Sequence, residues 1–429
     1  LIVYSTYNSP RLRYIVEVLF GSAVMITDEV ADYTAYDGVK INYSIAAIAD
    51  TEIRIAPQGL LFEEEIKKQG ITTFEWDGLV AFFATDGDIP FDVLAASFYL
   101  ISRYEEYLPH EKDSYGRFAH TAALAFKHHF LQQPLVNCWM QKVEEAIQSR
   151  FTAYRLPQHS FSFLPTYDID IAYAYKGKGM LRNTGGFLTD VLKSRWTAIA
   201  ERWAVVFGNK NDPFDVYSWL NALHQRHTLQ PIYFFLLAKR TGVYDKNLSP
   251  TAKPLQQLIQ QCQQKYKTGI HPSWQSHDDL QLLKAECQQL ATIGQQAVNS
   301  SRQHYIQFTL PYTYRCLIAA GITADYSMGY GSINGFRASY TKPFYWYDIM
   351  EEKQTALLLH PFCYMEANSF FEQGFTVEQA AEELQQYYNA VKAVNGQLIS
   401  IFHNHFLTEQ EQWLPWRKMY ANFLTTHAG

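Results

Sequence analysis

Residues 161–170 read Phe-Ser-Phe-Leu-Pro-Thr-Tyr-Asp-Ile-Asp. The opening Phe161-Ser162-Phe163-Leu164 is apolar and strand-like, and alternate residues of a strand point the same way. Asp168 and Asp170 are therefore expected to leave the end of one strand on the same side. Two neighbouring carboxylates repel unless a cation, a proton or a water network intervenes. Such a pair can divide labour, one carboxylate binding a metal and the other taking a proton from water. The plainer reading is a charged loop edge with capping aspartates, and a lone Asp-x-Asp does not separate the two.

Beyond this stretch, strand-like and helix-like segments alternate. The strands are expected at 161–167, 231–237, 268–271, 304–308, 324–327, 355–361 and 398–403. The clearest helices are expected at 254–266, 279–300 and 376–394. The last opens with Thr376-Val377-Glu378-Gln379, an N-cap signature. About seven strands alternating with helices predict an α/β fold, either a parallel barrel or a doubly wound sheet. Asp168, Asp170, His271, His304, His360, His403 and His405 fall at strand ends, the edge where parallel α/β folds build their sites.

A chain of 429 residues is longer than one core usually organises, so two domains are expected. Pro157 marks the boundary, giving residues 1–156 and 157–429. The first part mixes short strands with helices. Arg13 to Phe20 is an apolar helix or strand, Asp92 to Leu108 has helical spacing, and Pro134 to Phe151 is an amphipathic helix. Its densest polar stretch, Ser102-Arg103-Tyr104-Glu105-Glu106-Tyr107, reads as the solvated face of a helix.

Hydrophobic residues make up 48% and charged residues 18%, as in ordinary globular proteins. Aromatic residues reach 16%, which suits stacking on sugar faces and equally suits a Tyr-rich core. The net charge is -6 and no basic block stands out, so nucleic-acid binding has no electrostatic footprint. Five cysteines are scattered without a Cys-x-x-Cys pair, which fits free thiols in a reducing compartment. No apolar run reaches the length of a membrane span, and Leu1-Ile2-Val3-Tyr4 does not read as a signal peptide. A cytoplasmic location is the resulting expectation. Oligomeric state is not legible.

Three more segments carry chemistry. Gly269-Ile270-His271-Pro272-Ser273 ends a short strand, where a lone His is most often structural. In Ser301-Arg302-Gln303-His304-Tyr305, Arg302 is either a surface charge or the orienting partner of a carboxylate. Ile399-Ser400-Ile401-Phe402-His403-Asn404-His405 is an apolar strand ending in two same-face histidines, a pairing that often binds metal or moves protons.

Taken in order, these segments resemble the polysaccharide deacetylase family, carbohydrate esterase family 4. Thr166 to Asp170 looks like its first motif, Gly269 to Ser273 like its metal-His motif, Arg302-Gln303-His304 like its Arg motif, and Ile401-Phe402-His403 like its last. Arg103 to Tyr107, Asp325 to Tyr330 and Gly335-Phe336-Arg337-Ala338 resemble a bacterial subgroup with an extra N-terminal domain of unassigned role. The resemblance implies a deformed (β/α)7-type barrel preceded by a smaller α/β domain, with one divalent metal ion, usually zinc. Asp168 would be the base, held ionised by Arg302. Asp170 and His271 would be ligands, and His403 the acid. The family's second metal His falls at Gln275 here. His304 is then the expected third ligand, ahead of His277 and His405. Trp274, Arg337 and His405 are candidate substrate contacts, with Arg337 equally able to anchor its loop.

The implied reaction is removal of acetyl groups from an acetylated sugar or polysaccharide. Two other readings compete: a catalytically inactive glycan-binding protein on the same fold, and a glycosyltransferase that uses Asp168-Ile169-Asp170 to hold a metal-bound nucleotide sugar.

Overall fold

The computed structural model describes residues 1–157, 160–208 and 210–427. The N-terminal part holds a four-stranded parallel sheet of β1 (Ile2–Ser5), β2 (Met25–Thr27), β3 (Lys40–Tyr43) and β4 (Ile53–Arg54), in the order β2-β1-β3-β4. A two-stranded antiparallel ribbon, β5 (Thr73–Trp76) and β6 (Leu79–Phe82), follows. Arg13 to Phe20 lies in a helix, Pro10–Phe20. Ser9 caps it by accepting from the Leu12 N–H, and Pro10 sits at its first turn, where no amide partner is lost.

The second sheet has nine strands: β7 (Ser162–Ile169), β8 (Ile232–Leu236), β9 (Lys267–His271), β10 (Ser300–Ser301), β11 (Ala324–Asp325), β12 (Phe344–Asp348), β13 (Lys353–Leu359), β14 (Tyr364–Met365) and β15 (Gln397–His403). Their order is β12-β13-β11-β10-β9-β8-β7-β15-β14, and every pairing is parallel except β12 with β13. Only residues 360–363 link β13 to β14, a bridge that spans at most about 18 Å. In a flat sheet those two strands, seven places apart, would be separated by about 34 Å. The sheet must therefore roll until its ends approach. Among the described residues no ladder closes the seam. The loop after β11 fills it: Phe362 N–H donates to Met328 O, Gly335 N–H to Cys363 O, and the Asn368 side chain to Tyr330 O.

Strand alternation sorts the side chains of β7. Tyr167 faces outward, where its hydroxyl meets His224 Nε2 at 2.8 Å and Tyr420 Oη at 2.5 Å on the covering helices Tyr217–Arg226 and Leu414–His427. Thr166 and Asp168 face inward, toward Arg302. The helix Val377–Ala393 opens with the expected capping box between Thr376 and Gln379. No helix among the described residues is long and apolar enough to cross a membrane.

Three expectations are corrected. Residues 304–308 are not a strand; Ser300-Ser301 takes that place. His304–Ile306 is a tight turn with Tyr305 and Ile306 at φ 55° and 54°. The preceding helix ends at Gly294, because Gln295 adopts the left-handed conformation. Ser102 to Tyr107 is not a solvated helix face: Arg103, Glu105 and Glu106 are all buried. Arg103 pairs with both glutamates, at 2.8 and 2.7 Å, and Glu106 takes a two-pronged contact from Arg337 at 2.8 and 2.6 Å. Burial offset by two guanidinium groups produces a knot between the two parts of the chain rather than a surface.

Candidate active site

The tips of β7, β9 and β15 and the turn after β10 converge on one point. His271 Nε2 stands 3.2 Å from Asp170 Oδ1 and 3.8 Å from Asp168 Oδ2. His304 Nε2 and His403 Nε2 each lie 3.6 Å from Asp170 Oδ2. Asp168 and His403 are register partners on adjacent strands.

Asp170, His271 and His304 offer three ligand atoms within 4.8 Å of one another. The outer nitrogen of each imidazole is engaged. His271 Nδ1 contacts the Arg302 carbonyl at 2.5 Å, and His304 Nδ1 contacts Asp245 Oδ1 at 3.0 Å. A carbonyl oxygen only accepts, so His271 Nδ1 carries the hydrogen and Nε2 points its lone pair inward. Asp170 Oδ1 is buried and has no hydrogen-bond partner. That unpartnered carboxylate oxygen and the inward Nε2 of His271, 3.2 Å apart, fit a shared cation.

Electrostatics agree with that fit. Burial alone would raise the Asp170 carboxyl, yet the charge of His304, the contact with that imidazole and the charge of His403 hold it well below its ordinary value. Burial would lower His304, and Asp170 with Asp245 instead pushes it up to about 9. A bound cation would replace the proton that this acidic cage attracts.

Two flanking groups complete the site. Arg302 is fully buried, and its Nη1 donates to Asp168 Oδ1 at 3.0 Å and to Thr166 Oγ1 at 2.6 Å, while Nε donates to Tyr326 O. Opposite, Glu366 Oε1 accepts from the His403 backbone N–H at 2.5 Å and contacts His403 Nδ1 at 2.8 Å. Burial would lower His403, but Glu366, followed by Asp170, pushes it up to about 10. His403 thus holds a proton at neutral pH.

The remaining expected site residues fall as follows. Gln275, four residues after His271, donates to Asp245 Oδ2 at 3.0 Å and so braces the residue that holds His304. His277 turns away, its Nδ1 on Trp274 O. His405 borders the site, its ring 5.4 Å from that of His403 and its Nδ1 unpartnered. Burial and the charge of His403 push it down to about 4. His360 stacks on Tyr326 at 4.3 Å, away from the ligand trio. Arg337 is corrected from substrate contact to anchor: it is buried, and Glu106 and the Gly329 carbonyl take up its guanidinium.

Trp274 is half-buried beside the trio, in a group with Tyr115, Tyr244 and Tyr305. Its ring lies 4.2 Å from Tyr244, Tyr115 lies 5.5 Å from Tyr305, and Tyr305 lies 4.6 Å from His304. Tyr115 comes from the N-terminal part. Arg117, paired with Asp113 at 2.7 Å, reaches across to the Tyr305 carbonyl at 2.5 Å.

Asp245, Glu366 and Tyr115 were not anticipated. Asp245 and Tyr115 lie outside the strand tips, Glu366 directly follows the two-residue strand β14, and the partner of each is remote in sequence. An acidic residue just after a short apolar stretch, as in Tyr364-Met365-Glu366, is the only local signal any of them gives.

Comparison with known proteins adds the following. Residues 1–152 match a family of unknown function, DUF7033. No curated protein matches the chain. Among solved structures it is similar to a Mycobacterium smegmatis protein assigned as a polysaccharide deacetylase, with 11% identity over 64% of this chain and 88% of that one, TM-score 0.42. It is similar to a polysaccharide deacetylase from Bacillus cereus at 10% identity over 63% and 88%, TM-score 0.31. Puue allantoinase is similar at 11% identity over 63% and 88%, TM-score 0.40.

Proposed function

We propose that the chain is a metal-dependent hydrolase that removes acetyl groups, from nitrogen in the first instance, from a sugar or polysaccharide. The observation that carries this reading is the flanking of one ligand trio by two opposed proton carriers. Asp168 is fixed by Arg302, and His403 is fixed by Glu366.

Asp170, His271 and His304 would hold the ion, with zinc the first choice for one carboxylate and two imidazoles. Bound there, it would supply Lewis-acid polarisation of the acetamide carbonyl and acidify a water. Asp168 takes the proton of that water as its oxygen bonds to the carbonyl carbon. His403 gives its proton to the departing nitrogen as the carbon–nitrogen bond breaks, leaving acetate and a free amine. Arg302 keeps Asp168 oriented toward the trio, and the Glu366 contact leaves His403 Nε2 as the nitrogen that faces substrate. The half-buried rings of Tyr115, Tyr244 and Trp274, with the exposed ring of Tyr305, offer flat apolar faces beside His304, suited to a pyranose ring.

The test is metal content after zinc exposure, followed by acetate release from N-acetylated chito-oligosaccharides. About one zinc per chain, lost in Asp170→Ala together with turnover, is expected. A protein that binds no zinc and releases no acetate would leave the inactive glycan-binding reading in its place.

A further inference from the structure

Between β7 and β8 the chain builds a helical hairpin, Gly179–Leu192 and Trp196–Val206. Its second helix has no buried residue. Leu192, Trp196, Trp203 and Phe207 are 86%, 66%, 53% and 68% exposed. Positions 196, 203 and 207 are spaced by seven and four, so they share one helix face, and the Trp203 and Phe207 rings lie 4.6 Å apart. In the first helix, exposed Leu188 and Leu192 repeat that spacing. A helix of a water-soluble surface ordinarily turns such residues inward.

The charge around this face is equally unusual. Residues 176–210 contain seven Lys or Arg and two Asp or Glu, in a chain whose net charge is -6. Arg202 and Lys210 are engaged by Asp190 and Glu201. Lys193 and Arg195, at the turn of the hairpin, are exposed beside Leu192 and Trp196.

We infer that this hairpin docks on an anionic phospholipid bilayer. Trp, Phe and Leu on one face with Lys and Arg at its border are the composition that settles at the headgroup–acyl boundary. The local positive charge complements anionic headgroups where the rest of the chain is repelled. The middle of the second helix is tied to segments that leave the site. Arg202 stacks over Tyr175, which follows Asp170, and Gln410, which follows His405, donates to Glu201 at 3.2 Å. Docking therefore brings the site close to the lipid surface. This inference does not rest on the deacetylase reading.

The test is co-sedimentation of the full chain with vesicles of equal parts phosphatidylcholine and phosphatidylglycerol, against phosphatidylcholine alone. Binding to the anionic vesicles is expected, weakened by salt. The combined Trp196→Ser, Trp203→Ser, Phe207→Ser variant is expected to bind about tenfold more weakly. A separate Lys193→Glu, Arg195→Glu variant should lose a similar factor. Unchanged circular dichroism would show that both variants fold. No binding by the parent chain, or binding that neither variant weakens, overturns the inference. A dimer in sedimentation equilibrium that the aromatic variant dissolves also overturns it, by assigning the face to a second copy.

Discussion

The Glu366 carboxylate holds His403 twice, through the ring Nδ1 at 2.8 Å and through the backbone N–H at 2.5 Å. One side chain therefore sets both the direction of the imidazole and its protonation. Replacing Glu366 with Gln removes the charge that pushes His403 up to about 10. The His403 resonance in an NMR titration should then shift downward, toward the ordinary imidazole range. Turnover on an acetylated sugar should fall about 100-fold, the scale of a lost general acid. Zinc content should not change.

Removing the ligands acts differently. His304→Ala is expected to abolish stoichiometric zinc binding, because two protein ligands do not make a zinc site. Asp245→Asn keeps all three ligands but loosens His304, so affinity should drop about 10- to 100-fold. Competition with a chromophoric chelator separates the two cases.

Glu106 supplies a pH prediction for stability. Burial alone would raise its carboxyl, but Arg337 and Arg103 outweigh that and bring it down to about 2. A depressed folded-state value stabilises the protein above the unfolded value, and that stability drains away as pH falls from about 4.5 to about 2. The contribution at neutral pH is about 3 kcal/mol. In Glu106→Gln the acid-unfolding profile should be flatter across this window. The variant should also be less stable at pH 7, because buried Arg337 loses its counter-charge and Arg103 keeps only Glu105. Urea titrations at both ends of the window measure it.

Tyr115 tests whether the N-terminal part touches substrate. Tyr115→Ala should raise KM for an oligosaccharide about 2- to 10-fold and leave kcat in place, the mark of lost uniform binding. An unchanged KM would restrict the sugar-facing rings to Tyr244, Trp274 and Tyr305.

Much of the site is visible in the sequence because strands advertise their tips. Period-two alternation puts Asp168 and Asp170 together, and apolar runs that stop at His271 and His403 place those imidazoles at the same sheet edge. What escapes is held through space. Asp245 lies in an irregular segment and Glu366 follows a strand of only two residues, and their roles exist only because folding brings His304 and His403 to them. Arg103, Glu105 and Glu106 read as surface because local polarity says nothing of a distant Arg337. The hairpin at 179–206 stays hidden for a related reason. Its cations are spread over some 35 positions, so no block stands out, and its apolar spacing matches an ordinary buried face. Only the structure shows that none of the described residues buries its second helix.

The pairing of Asp168 with His403 joins the first strand of the large sheet to its last. The three side chains proposed to hold the ion precede the helix Val377–Ala393, whereas the proposed acid and the strand that carries it come after. A nascent chain can thus present a complete ion cage while one edge of β7 is still bare and the hydrolytic pair does not yet exist. The proposed proton transfer would wait for β15 to pair with β7, and the long separation of the two strands makes that closing step slow relative to local helix formation. A product cut short before Gln397 would keep the ligands for an ion but have no acid to use with it.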